Sequence, residues 1–355
     1  MFRIAVLIGA LALGQNSPRV GLLDQEGWAA IKAGNHQAAL EAFREAIRLD
    51  PKNAWLRLGA GTAEFLARRD PEAKAHLEQA LSLEPTLVRA RAQLAQVVKR
   101  QGDLNEAIRL YEQVAVDVPN DEGVRDTLDR WKRERELHER MRLEVGDFFT
   151  VSFEGAEDAA LAAQAIESLN RAYWRIGDLL GAYPPKSVPV VLYTGEQFQD
   201  VTRSPKWAAA AFDGIIRVPM RGAGEKGDDL DRVLAHEFTH ALIRSMATSQ
   251  IPTWLNEGLA SVLESDSLEW ATSRLEKVER LPSLRELSGP FGKLSGADAQ
   301  VAYAASALAA RRLLEEAGGA AIANLLRDLG AGVDFESAFL HRMQKTLADF
   351  EASLK

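Results

Sequence analysis

Pro51, Pro85 and Pro119 fall 34 residues apart, twice over. In the same phase stand Phe43, Leu77 and Tyr111, then Ala39, Ala73 and Ala107, and further back Gly27, Gly61 and Ala95. A fixed period of this length means a stack of like units, each too small to bury its apolar face without a neighbour. The order of residues says what each unit is. An early small residue lets two helices approach closely, alanine and the bulky side chain fill the gap between them, and proline ends the second helix. The first part of the chain is therefore expected to be a solenoid of antiparallel helix pairs.

This pattern resembles the tetratricopeptide repeat (TPR), with about three repeats over residues 20–144. The first-helix half is degenerate, because Leu23, Arg57 and Arg91 stand where the repeat often has Trp, and Ala46 and Ala80 become Val114 in the third unit. Asn120 to Leu143 reads as one charged helix, the polar cap that the open end of a solenoid needs. A nucleic-acid helix fits it poorly, since acids alternate with the arginines. The net charge of −8 also argues against a nucleic-acid grip. The resemblance implies that the groove of the solenoid takes a peptide or a protein partner.

The second half has a different texture. With 46% apolar and 26% charged residues the chain has the composition of an ordinary soluble protein, and its length suits two or three domains. Gly146 is the expected boundary, with a second domain over 146–355. Phe148–Phe153, Val188–Tyr193 and Ile215–Val218 read as strands, and Ala156–Leu180 as an amphipathic helix. Beyond Leu263 helices are expected over Leu268–Val278, Ala297–Ala317, Ala320–Leu329 and Thr346–Leu354, separated by glycine-rich turns.

Within this half lies Leu-Ala-His-Glu-Phe-Thr-His, residues 234–240. Asp228-Asp229-Leu230-Asp231 before it is an acidic helix opening, and no proline or glycine follows until Pro252. On a helix His236 and His240 share one face with Cβ atoms ~6 Å apart, so both imidazoles can reach one ion. Cysteine is absent, so a metal site must use histidine and carboxylate. Zinc accepts neutral imidazole and prefers four ligands in a tetrahedron. Glu237 would lean over the metal without ligating it, placed to take a proton from its water. A polar reversal, Ala247 to Pro252, leaves room for a second helix from Thr253 that returns Glu257 as third ligand. Glu264 and Asp266 compete for that place. A His-x-x-x-His face can also be a solvated helix face, but a chance match need not be followed by a second helix carrying glutamate.

Ala211–Pro219, Val233–Leu242, Ile251–Ala260 and Leu281–Leu287, followed by Phe291 and Ala302-Tyr303, resemble the MA-like domain of the gluzincin metallopeptidases. The resemblance runs from about Val151 to Leu354. It implies an α+β fold with a small mixed sheet, a zinc helix and a C-terminal helical lobe. It also implies His236, His240 and Glu257 as zinc ligands, Glu237 as catalytic base, and Tyr303 as a donor to the oxyanion, with His341 as runner-up. The strand within Ala211–Met220 would form the upper rim of the cleft, or be a plain edge strand; Asp213 is given no chemistry. Many gluzincins orient the first histidine with a carboxylate one turn after the third ligand, and here that position is Ser261, which leaves Glu264 or Asp231 as substitutes.

At the other end, Met1-Phe2-Arg3 is a short basic start and Ile4–Gly14 an eleven-residue apolar run. Residues 1–14 are expected to be a signal peptide, too short for the ~20 residues of a membrane span. The mature chain would then be periplasmic or secreted; as a buried segment the same run would imply a cytoplasmic protein. The expected function is zinc-dependent hydrolysis of peptide bonds in a peptide or protein substrate. The alternative is a non-catalytic TPR adaptor that binds zinc and peptide, and a zinc hydrolase acting on other bonds also stays open.

Overall fold

A computed structural model describes residues 18–154, 159–202, 211–212, 214–219, 227–247, 251–276 and 278–354. The expected signal segment and Asp213 lie outside these residues. The chain divides into two compact units, one through Val98 with Arg109–Asp117, the other Lys99–Ile108 with Val118 onward. Among the described residues no helix is long and apolar enough to cross a membrane.

The first unit is the helical-repeat array. Its helices are α1 (Pro18–Lys32), α2 (His36–Leu49), α3 (Ala54–Leu66) and α4 (Asp70–Leu83), then α5 (Val88–Arg100) and α6 (Leu104–Asp117), the last two only in part. Asn35 and Asn53 start α2 and α3, each accepting hydrogen bonds from backbone N–H groups of the first turn. The in-phase residues do what their spacing requires. Ala39, Ala73, Phe43 and Leu77 are fully buried. A Cβ on Gly27 would sit 2.6 Å from the Phe43 ring, and one on Gly61 2.8 Å from Leu77. Only glycine admits those side chains between the helices. Arg91, at one of the degenerate positions, ties the loop carbonyl of Pro85 to Asp117 at the end of α6.

The second unit opens with α7 (Glu122–Arg140), β1 (Arg142–Val145), β2 (Phe149–Phe153), α8 (Ala159–Leu180), β3 (Val188–Tyr193) and α9 (Gly195–Thr202). Then come β4 (Ala211–Phe212), β5 (Ile216–Pro219), α10 (Gly227–Met246), α11 (Thr253–Glu264), α12 (Glu269–Leu275), α13 (Gly296–Gly330), α14 (Phe335–Met343) and α15 (Leu347–Ala352). The five strands order β1-β2-β3-β5-β4, parallel at β2/β3 and β3/β5 and antiparallel at both ends. This is the mixed sheet with a helical lobe that the sequence led us to expect.

Both faces of the sheet are covered, which is why β3 reads as continuous apolar residues. Val151, Val190, Leu192, Ile216 and Val218 join the main core with α8, α10, α11 and α13. On the opposite face Val191 and Tyr193 pack with Leu137 of α7 and Phe198 of α9. Arg217, only 4% exposed, points to that second face between Ile216 and Val218. It donates to the Tyr193 hydroxyl at 2.6 Å and pairs with Glu134 of α7 at 3.3 Å, while Lys99 holds Glu134 at 2.9 Å. His138 completes the group, 2.8 Å from the same hydroxyl. The charged helix expected over Asn120–Leu143 thus ends at Arg140, and Leu143 lies in β1, where Arg142–Val145 pair with 150–153.

The helices expected over Ala297–Ala317 and Ala320–Leu329 both form within α13, broken at Gly318, whose φ of +77° and ψ of 161° are not helical. Two smaller expectations change in the helical lobe. Thr346 caps α15 instead of lying in it, accepting from the Asp349 N–H. Helix α14 was not expected; Asp334 marks its start as N-cap, accepting from the Ser337 N–H.

Candidate metal centre

Helix α10 forms because Leu230, Leu234, Phe238 and Leu242 make a buried stripe at fourfold spacing. Phe238 seats it on Phe149 of the sheet, with ring centroids 5.7 Å apart. That contact turns the adjacent face, His236 and His240, toward α11. The second helix begins at Thr253 as expected, with Pro252 at the N-cap position; the Thr253 hydroxyl donates to the Ser288 carbonyl at 3.3 Å. Trp254, Leu255 and Leu259 bury one side of α11. Gly258 brings it against α13, where a Cβ would stand 2.3 Å from the Ser306 carbonyl oxygen.

These contacts fix Glu257. Its Oε2 lies 3.7 Å from His236 Nε2 and 3.6 Å from His240 Nε2, and one ligand atom from each residue falls within 4.8 Å of the others. Three donors on bonds of 2.0–2.1 Å at tetrahedral angles lie ~3.4 Å apart, so the set fits a zinc-sized ion with little adjustment. The far nitrogens are held from outside. His236 Nδ1 donates to Glu264 Oε2 at 2.6 Å, and His240 Nδ1 to Asn256 Oδ1 at 3.3 Å. Each bond fixes the tautomer that leaves an Nε2 lone pair facing the centre. Glu264 therefore does the orienting work that the resemblance assigns one turn earlier, where Ser261 is buried. Asp231, the other substitute, turns away to Arg171 at 2.8 and 2.9 Å. Asp266, the remaining competitor as ligand, is exposed and outside the cluster. Asn256 was missed by sequence reasoning, although it directly precedes Glu257.

The electrostatics favour a cation at the centre. Burial works against charge on His236, yet the carboxylates of Glu257 and Glu264 outweigh it and push the imidazole up to about 10. Burial would raise Glu257, but the two imidazoles hold it well below the ordinary carboxylate range. Glu237 behaves oppositely: burial raises it, only partly opposed by the histidines, and the neighbouring glutamates add to the rise. It is 7% exposed, and its Oε2 has no hydrogen-bond partner. Such an orphan acceptor is costly unless something is meant to meet it. Tyr303 of α13 is half-buried against Phe291, and burial with the charges of Glu257 and Glu237 pushes its hydroxyl up. A neutral hydroxyl there can donate a hydrogen bond. His341 is exposed in the last turn of α14.

The family profile described as Peptidase MA superfamily matches residues 169–351, just over half the chain. The chain belongs to this superfamily. Two tetratricopeptide-repeat profiles match residues 20–53 and 71–128, ahead of the peptidase MA domain. The domain is thus of a peptidase-like hydrolase class whose members are typically metal-dependent, behind a module of the protein-interaction kind. Among solved structures, the first TPR of Spaghetti (RPAP3) bound to an HSP90 peptide is 21% identical, covers 34% of this chain and 98% of its own, and has a TM-score of 0.33. The Arabidopsis OM64 TPR domain is 18% identical, covering 33% and 96%, with a TM-score of 0.32. The N-terminal domain of stress-induced protein-1 from C. elegans is 17% identical, covering 34% and 99%, with a TM-score of 0.31. A search of curated proteins finds no match.

Proposed function

We propose that the chain is a zinc-dependent metallopeptidase with His236, His240 and Glu257 as ligands and Glu237 as general base. The observation that carries this is the convergence of the three ligand atoms beside a buried carboxylate with an unpartnered oxygen. Zinc, when bound, supplies the Lewis acidity that polarises the scissile carbonyl and makes a water acidic enough to react. Glu237 accepts the proton of the attacking water and passes it to the leaving amine. Burial and the neighbouring glutamates raise its pKa, which strengthens it as a base for the first transfer. Tyr303, kept protonated by its surroundings, donates to the oxyanion of the tetrahedral intermediate. The repeats would bring a protein or peptide partner to the same chain.

Glu237→Gln keeps the size of the side chain and removes its basicity. Purified wild type and variant are both expected to carry about one zinc per chain, with peptide binding retained. Turnover of a peptide library should fall by ~10²–10⁴-fold in the variant. Equal cleavage by the two proteins would defeat Glu237 as the base, and binding by both with cleavage by neither would identify the adaptor.

We also propose export, from the basic start and short apolar run of residues 1–14. N-terminal sequencing of protein from its native host should find a chain beginning near Gln15 in the envelope or medium. An intact Met1 on cytoplasmic protein would remove the claim.

A further inference from the structure

On the Nδ1 side of His236, a solvent-open cavity of about 450 Å³ lies between α8, α10 and the end of α11. Its wall carries three guanidinium groups, Arg171, Arg175 and Arg232, and two carboxylates, Asp231 and Glu264. The charges do not pair off evenly. Arg171 is paired with carboxylates, its Nη2 holding both oxygens of Asp231 at 2.9 and 2.8 Å and its Nη1 one of Glu167 at 2.9 Å. Glu264 gives one oxygen to His236, and the other stands 3.7 Å from Arg232, beyond a hydrogen bond. Arg175 donates one N–H to the Leu263 carbonyl at 2.7 Å, at the C-terminal end of α11, and meets no carboxylate among the described residues. A guanidinium has five N–H donors in a planar fork. Arg175 and Arg232, both exposed and without a hydrogen-bonded carboxylate among the described residues, therefore line one solvent-open space with donors left over.

We propose that this cavity is an oxyanion subsite, binding a carboxylate or phosphate group between Arg175 and Arg232. Planar forks match the spacing of such oxygens, and a charge-assisted hydrogen bond is about twice as strong as a neutral one. The volume far exceeds a single carboxylate, since a water occupies only ~30 Å³, so the remainder of the ligand extends into the opening. The subsite is joined to the metal centre through one residue: Glu264 touches both Arg232 and His236. The oxyanion can come from an acidic group of a bound peptide or from a free anion. Only the first source rests on the proposed function; the subsite itself does not require hydrolysis.

The test is calorimetric titration of the full chain, at fixed ionic strength, with inorganic phosphate and with blocked triglutamate and triglutamine peptides. Phosphate or triglutamate should bind saturably, triglutamine should not compete, and Arg175→Gln and Arg232→Gln should each weaken binding by at least tenfold. Arg175→Lys should recover part of the loss, because charge returns without the fork. Displacement of phosphate by triglutamate assigns the site to a peptide carboxylate; binding of phosphate alone assigns it to a free anion. Binding unchanged within twofold in both glutamine variants, or no saturable binding of either anion, overturns the proposal. Arg175 makes no hydrogen bond or ion pair with the side chain of His236 or Glu264, so Arg175→Gln decides the matter if Arg232→Gln disturbs the fold.

Discussion

Gly258 measures how closely the third ligand is positioned. In a helix interior glycine costs roughly 1 kcal/mol against alanine, so a glycine beside Glu257 needs a reason, and the Ser306 carbonyl supplies it. Gly258→Ala would gain that helix propensity and still push α11 away from α13, an overpacking that costs ~1–3 kcal/mol. The variant is expected to melt at lower temperature and to hold zinc more weakly, although every ligand is intact. Thermal melts and zinc competition against a chelator check both, and unchanged values would mean that the two helices can part without moving Glu257. The histidine pair was readable from helical spacing, while Glu257 was one of three carboxylates on or just past the second helix and was favoured by the family resemblance. The orienting carboxylate was not readable. Glu264 lies seven residues after Glu257, two turns along the same face, so one residue can meet each nitrogen of His236. Asp231 looked equivalent until its partner was known, and Arg171 is 60 positions away.

Among the elements, α7 is the one whose sequence misleads. Alternating acids and bases suggested a solvated cap, yet Glu134 is 2% exposed and Leu137 is buried against β3. Its partners, Lys99 and Arg217, are far away in sequence, and a local charge pattern cannot reveal them. The domain limits 20–144 and 146–355 can be tested against this packing. A chain starting at Gly146 loses Glu134, the acid that pairs with Arg217, and Leu137, which packs on Val191 and Tyr193. It also uncovers one face of the sheet. Residues 146–355 are expected to be poorly soluble or to melt well below residues 99–355, which should fold and bind zinc. Matching melts for the two fragments would place the boundary at Gly146 and leave α7 as a cap alone.

Across the whole chain, what the sequence disclosed was periodic: the 34-residue repeat, the four-residue histidine spacing, the alternation or run of apolar residues in strands. What it withheld was the order in which strands meet and which element covers the back of the sheet, because parallel pairing joins segments with long connections between them. The helix behind the sheet has a bearing on how the protein is made. His138 and Tyr193 are 55 positions apart, and a ribosome adds ~5–20 residues per second. Helix α7 therefore waits ~3–11 s after its own synthesis before the strand that covers it exists. Through that interval a mainly apolar helix would invite wrong contacts. The dense charge of α7, which hides its final place, would keep that stretch hydrated until its partner arrives.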